Sequence, residues 1–236
     1  MTSLHPADSG ALADWQLFTA RLLRADPDAA VRLSVGGDVL VLTTAPLYPA
    51  GLGDTMPLVL AMRMLRLSDS GLDGLDRVVP ARALGDRFAR AETTGDARLP
   101  LPPTEVPVAW TARTPPRTGW TNVGEVPAAN LVEVARAGIA EVAQGSPSGS
   151  GGHAVSRLRR LVWSREVELE PGAPAAAMGP ERLPSVPAGM AYAGEVLGFL
   201  PHGPVLEDSG VTVFRVSGWL RLTTRGGHLL TPLRSL

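Results

Sequence analysis

Hydrophobic residues recur along this chain with two periods, and the period changes at readable places. From residue 11 to 25, Leu12, Trp15, Phe18, Leu22 and Leu23 fall at helical spacing, and Asp26-Pro27 closes the stretch. Val31, Leu33 and Val35 then alternate with polar neighbours. Gly36-Gly37 offers a turn and residues 39–43 return, so this stretch predicts a β-hairpin. Residues 45–54 hold two prolines and two glycines and read as loop. Over 58–67 the alternation of Leu58, Leu60, Met62 and Met64 competes with a helix-favouring Leu, Met, Ala and Arg content. A strand is the expectation, because it adds a third strand beside the hairpin. Residues 80–92 predict a helix with proline at its start.

The second half opens with the longest apolar face in the chain. Leu131, Val134, Ala135, Gly138, Ile139 and Val142 mark a helix that follows Pro127. The run GSPSGSGG at 145–152 is linker-like in composition. A helix is expected over 153–163, with Val155, Leu158, Leu161 and Val162 inward. Val167 and Leu169 sit between Glu166, Glu168 and Glu170, the pattern of a strand with a charged outer face. Residues 171–187 read as loop, and 188–200 as a helix of small residues carrying Gly189, Gly194 and Gly198. The chain ends in a hairpin. Residues 211–216 and 219–224 read as one long or bent strand, 225–227 turn, and 228–233 return.

Between these halves, residues 93–124 are rich in Pro, Gly and Thr, with a short edge strand expected over 106–109. Proline presets φ, so the segment is extended and semi-rigid. The organisation expected is a single compact unit over 1–236. Within it, sub-domains 11–95 and 120–236 are joined by a Pro-rich segment at 96–119. The fold class expected is α+β: a mainly antiparallel sheet with helices packed on one face, since alternating strands with one polar face suit a sheet covered on one side.

Composition narrows the chemistry. Hydrophobic residues make up 44% of the chain, enough for a real core. There is no cysteine, which excludes disulfides, thiolate nucleophiles and Cys-ligated metals. All 22 basic residues are arginine, which excludes Schiff-base and P-loop lysines. The 26 glycines, 22 prolines and scarcity of Ile and Asn fit the codon usage of a GC-rich genome, which accounts for the missing lysine without a functional cause. The longest uncharged stretch, 39–53, is shorter than the roughly 20 apolar residues of a spanning helix and contains Pro46 and Pro49. Asp8 and Asp14 sit where a signal peptide has no acids. A cytoplasmic location without membrane contact is expected. The formal net charge of -1 supplies no overall field for nucleic acid.

No catalytic constellation emerges. His5, His153, His202 and His228 are never three or four residues apart, so no helical metal pair exists, and no metal site or cofactor is expected. His202 precedes Glu207 and Asp208, and reads as a turn histidine. No nucleophile elbow, dinucleotide or Walker pattern occurs. Glu166, Glu168 and Glu170 read as a solvated, edge-protecting face rather than a cation site. Cationic residues cluster at Arg157, Arg159, Arg160 and Arg165 around Trp163. Arginines interleaved with an aromatic are what single-strand nucleic-acid grooves use. Five tryptophans against two tyrosines is an interface-like balance.

Leu101-Pro102-Pro103 with Gly119-Trp120 and Val126-Pro127-Ala128, then Val186-Pro187 leading to Gly198-Phe199-Leu200, then residues 217–222 (SGWLRL), occur in an order that resembles a group of uncharacterised proteins from high-GC Gram-positive bacteria. The resemblance covers roughly residues 100–225. It implies no activity or site, and it implies that the two halves belong to one unit.

The leading expectation is therefore a non-enzymatic interaction or adaptor protein, with a protein partner or self-association as a homodimer. One alternative is a small-molecule-binding protein or enzyme with a pocket under the Pro-rich segment, near Trp120, Trp219 and Arg221. Another, ranked lower, is nucleic-acid binding through Arg157, Arg159, Arg160 and Trp163.

Overall fold

The helix of residues 11–25 and the hairpin after it form as their periodicity requires. Helix α1 runs Ser9–Ala25 and is capped by Asp8, whose carboxylate accepts the Ala11 N–H at 2.8 Å. Strands β2 (Ala30–Gly36) and β3 (Val39–Leu47) pair antiparallel across the turn at Gly37, where φ is 62°, and follow the short strand β1 (Ser3–Leu4). The structure is a computed structural model and describes residues 2–145, 151–171 and 183–233. The chain divides into two units, Met1–Pro46 with Ala61–Ala112, and Leu47–Leu60 with Arg113–Leu236.

Residues 58–67 contain strand β4 (Val59–Arg66), most of which lies in the first unit, so the alternating Leu and Met positions outweigh their helix propensity. Strand β5 (Asp76–Pro80), which the pattern did not reveal, pairs antiparallel with β2, and the order is β5-β2-β3-β4. The inward Val31 and Val79 face each other across this pair and are fully buried. On the same pair, Arg32 reaches Asp76 with both Nε and Nη2, at 2.7 and 2.6 Å. Helix α2 (Ala81–Thr94) starts after Pro80 and ends at the left-handed Gly95. It packs on α1 through an edge-to-face contact of Trp15 with Phe88, ring centroids 5.3 Å apart. Strand β6 (Leu99–Pro100) pairs with β1. The edge strand expected over 106–109 is absent. Val106 donates to the Val78 carbonyl, and Ala109–Ala112 is a 3-10 turn that buries Trp110.

In the second unit, β7 (Thr121–Pro127) leads directly into helix α3 (Ala128–Gln144), with helix α4 (Gly152–Trp163) next. The expected strand over 166–170 is reduced to β8 (Glu166–Val167), paired with β9 (Val186–Pro187), because only two residues find a partner. Helix α5 (Gly189–Val196) is shorter than residues 188–200 suggested. It stops where Gly198 turns the chain with φ 68°. The linker-like residues 146–150 and most of the loop expected over 171–187 lie outside the described residues.

The C-terminal strands depart furthest from expectation. Residues 211–224 are not one strand. They are β10 (Gly210–Val216) and β11 (Trp219–Thr223), folded back on each other at Ser217-Gly218, where φ of Gly218 is 76°. Only glycine adopts that angle without strain, so Gly218 makes the reversal possible. Strand β12 (His228–Pro232) completes the order β12-β11-β10-β7. Val211, Val213, Leu220, Leu222 and Leu229 face the helices and are fully buried, and α5 packs on β12. Thr231 shares that face and donates its hydroxyl to the Leu58 carbonyl at 2.9 Å. Among the described residues, five helices and antiparallel strands make this an α+β fold.

Helices α3, α4 and α5 pack on one another around Trp163, which is 1% exposed and stacked on Tyr192 with ring centroids 4.5 Å apart. A Cβ at Gly138 would press on the Trp163 ring, standing 2.7 Å from Cη2. Gly→Ala in a helix ordinarily stabilises by about 0.5–1 kcal/mol. Here Gly138→Ala is expected to destabilise by about 1–3 kcal/mol through overpacking. Urea unfolding followed by Trp fluorescence reads the sign directly.

Candidate functional site

The face of the second unit's strands turned away from the helices carries Arg221, which has no ion-pair partner among the described residues, while Glu125 of β7 stands on the same face opposite Thr212. Arg221 on β11 lies opposite Phe214 on β10 and opposite Leu230 on β12. Directly paired residues in antiparallel strands point to the same side, so these three share one face. Trp120 precedes β7 and completes the group. Gly119, with φ 84°, turns the chain there, and the Trp120 indole donates to the Pro116 carbonyl at 2.9 Å, which holds the ring. The Arg221 guanidinium carbon is 4.6 Å from the Trp120 ring centroid and 4.3 Å from that of Phe214. The guanidinium is thus sandwiched between two π faces.

Its polar atoms are not matched. The Arg221 Nε is buried and has no hydrogen-bond partner among the described residues. No described carboxylate pairs with Arg221 either. Burial pulls its pKa down from the ordinary value, although a guanidinium stays charged. Two residues along the same face, Thr223 pairs with His228 on β12, the hydroxyl lying 3.0 Å from the imidazole Nδ1. The His228 pKa is lowered, first by burial and then by the positive charge of Arg221. Arg221, Thr223 and His228 therefore form a polar group with one net charge and apolar walls. Trp219 lies on the same face and is 8% exposed.

The arginines around Trp163 are placed differently. Trp163 points into the helical core, so no ring stands among them at the surface. Arg160 is turned to Asp54, Nε to carboxylate oxygen 2.6 Å, and Asp54 also accepts the Ala50 and Met56 N–H groups. Those hydrogen bonds and Arg160 hold its carboxyl below the usual carboxylate range. Arg165 grips Glu141 with two contacts of 3.0 Å. Arg157 is exposed and Arg159 half-buried, and neither pairs with a described acid. Leu161, expected inward, is 59% exposed, because α4 turns Val162 and Trp163 to the core instead.

Other polar groups gather without a reactive arrangement. Glu195 on α5 lies between Arg136 at 3.8 Å and His202 at 3.9 Å. A cleft of about 240 Å³ between α3 and residues 167–170 has apolar Val126, Leu131 and Leu169 with Glu133, Glu168 and Glu170 at its rim. Among the described residues no group of His, Asp or Glu is placed to hold a metal ion. Among them also, no helix is long and apolar enough to cross a membrane.

Trp120, Trp219 and Arg221, singled out from sequence, thus come together, while Arg157, Arg159, Arg160 and Trp163 do not form one surface. Phe214 and Thr223 escaped notice, and His228 was weighed only for its spacing from the other histidines. Their signal was the Ser217-Gly218 turn, which puts position 214 opposite 221 rather than seven residues away along one strand.

The family model described as a domain of unknown function, DUF8185, matches residues 115–235, and the chain belongs to that family. A second model, the domain of unknown function DUF8010, matches residues 1–110. No curated protein matches the sequence. Solved structures do. A DNA polymerase sliding clamp from Pseudomonas aeruginosa superposes with a TM-score of 0.51 at 14% identity, covering 100% of this chain and 65% of the clamp chain. A DNA polymerase III subunit beta from Pseudomonas aeruginosa gives 0.47 at 18% identity, covering 94% and 61%. A DNA polymerase sliding clamp from Caulobacter crescentus gives 0.46 at 13%, covering 94% and 63%. The chain therefore spans 61–65% of the length of these relatives, and the likeness to the first of them is one of fold.

Because His228 is depressed in the folded chain, the unfolded chain binds more protons between the folded value and the ordinary 6.5. Stability is expected to rise with pH across that window and to fall as pH drops below about 6.5. Urea midpoints measured across this range should show the slope, and His228→Gln should flatten it.

Proposed function

With membership of a family of unknown function as the premise, we propose that this chain is a non-enzymatic interaction protein that binds protein chains through the strand face and free edge of its second unit. The observation that carries this reading is the Trp120–Arg221–Phe214 sandwich. Trp and Arg are the residues that dominate binding energy at protein interfaces. Here they stand pre-ordered beside β7, whose outer edge has no strand partner among the described residues. An unpaired strand edge is a template for another chain. By contrast, the edge strand β5 is covered through the Val106–Val78 hydrogen bond. The sliding-clamp fold supports the reading by analogy, since the protein so named serves a polymerase. The partner is a second copy or another protein, and the compartment is the cytoplasm.

Nucleic acid is the second reading. Arg157 and Arg159 favour it, being cations with no described counter-ion, as does the name of the matched clamp. It predicts binding that weakens steeply with salt and is reduced by replacing both arginines.

For the leading reading, sedimentation equilibrium combined with hydrogen exchange is decisive. Self-association, or capture of a cross-linked partner, should protect the β7 amides and the residues around Arg221. A chain that stays single at every concentration, with no cross-linked protein at this face, removes the proposal.

A further inference from the structure

The interaction reading leaves open what chemistry the strand face recognises, and the inference here rests on that reading. We infer that Arg221, backed by Thr223 and His228, is a receptor for a single carboxylate presented by a protein chain, an Asp or Glu side chain or a C-terminus. Four observations converge. The guanidinium is fixed between the Trp120 and Phe214 rings, so its planar fork is held before a ligand arrives. Among the described residues no carboxylate pairs with it, and its buried Nε has no hydrogen-bond partner. Thr223 and His228 lie on the same strand face, and their hydrogen bond sets the imidazole orientation. Leu230 and Trp219 supply apolar walls, while Glu125 of β7 stands on this face opposite Thr212 and makes no ion pair with Arg221.

A buried donor without an acceptor, next to a lone cation, is an unfinished hydrogen-bonding arrangement. A planar, singly charged carboxylate completes it, because the fork donates two parallel N–H bonds to two oxygens. A phosphate dianion brings more charge than one guanidinium and a His228 depressed by burial and by Arg221 can match. The apolar walls suit the methylene stem of an acidic side chain.

The test uses the full chain labelled with 15N. N-acetylglutamate amide, inorganic phosphate and chloride are titrated separately at equal ionic strength, while the Arg221 Nε–Hε and His228 ring signals are followed by NMR. Saturable shifts with N-acetylglutamate amide, at least tenfold tighter than with phosphate or chloride, are expected. Arg221→Gln should abolish saturation. Arg221→Lys, which keeps the charge and loses the fork, should weaken it by about tenfold. Each variant is first matched to the parent chain in its urea midpoint and amide dispersion, so that loss of saturation in a folded Arg221→Gln reports on the site itself. Shifts that are linear in every salt, or equal in Arg221→Gln, overturn the inference, and so does tighter saturation by phosphate. If those results coincide with concentration-dependent self-association, the carboxylate site fails while the interaction reading stands.

Discussion

The second unit depends on one constraint, the antiparallel register set by the reversal at Ser217-Gly218. In that register Val213, Leu222 and Leu229 line up across three strands and face the helices. The alternate positions Phe214, Arg221 and Leu230 then face the other way. A one-residue slip would exchange the two sets and bury a guanidinium under α5, so the register is strongly specified. The turn glycine at φ 76° is therefore what separates a hydrophobic face from a recognition face.

The helical side of the same unit is fitted as closely. Gly138 lets α3 approach the Trp163 ring, and Gly189 and Gly194 let α5 approach Leu47, Pro57, Leu200 and Leu229. Small residues here are a packing requirement rather than flexibility. Arg160 and Asp54 tie the 47–60 segment to α4, with Asp54 also satisfying two backbone N–H groups of its own loop. An arginine that looks like part of a basic patch is thereby used for structure. The charge left at the surface is carried by Arg157 and Arg159.

On the strand side, the unusual feature is a charge stabilised by rings instead of by an acid. Cation–π contacts are modest at exposed sites and larger when water is excluded. They supply no acceptor to the N–H groups of a guanidinium, whereas an ion pair would. That difference makes Arg221 a different kind of residue from Arg32 or Arg165, both of which are gripped by carboxylates. The same positive charge adds to burial, the larger cause, in lowering the proton affinity of His228.

Much of the architecture was legible in the sequence because it rests on local periodicity. Leu12 to Leu23 made α1, Val31 to Val35 made β2, Leu131 to Val142 made α3, and each formed close to where its spacing placed it. The α+β class followed from those patterns, and the missing cysteine and lysine excluded whole chemistries outright. Strands β5 and β7 were not legible, since short segments with Pro, Asn and Gly carry no alternation and are strands only because a neighbour pairs with them. The site was half legible. Trp120, Trp219 and Arg221 attracted attention by residue type, but nothing in their order showed that Phe214 would lie across from Arg221, or that Trp163 would leave the surface for the core. Sequence alone determined which chemistries the chain can hold and where its helices run, because both depend on residue identity and short-range spacing. Tertiary structure decided which side chains meet, because a single reversal at Gly218 and the close approach at Gly138 are long-range packing events with no local periodicity to announce them.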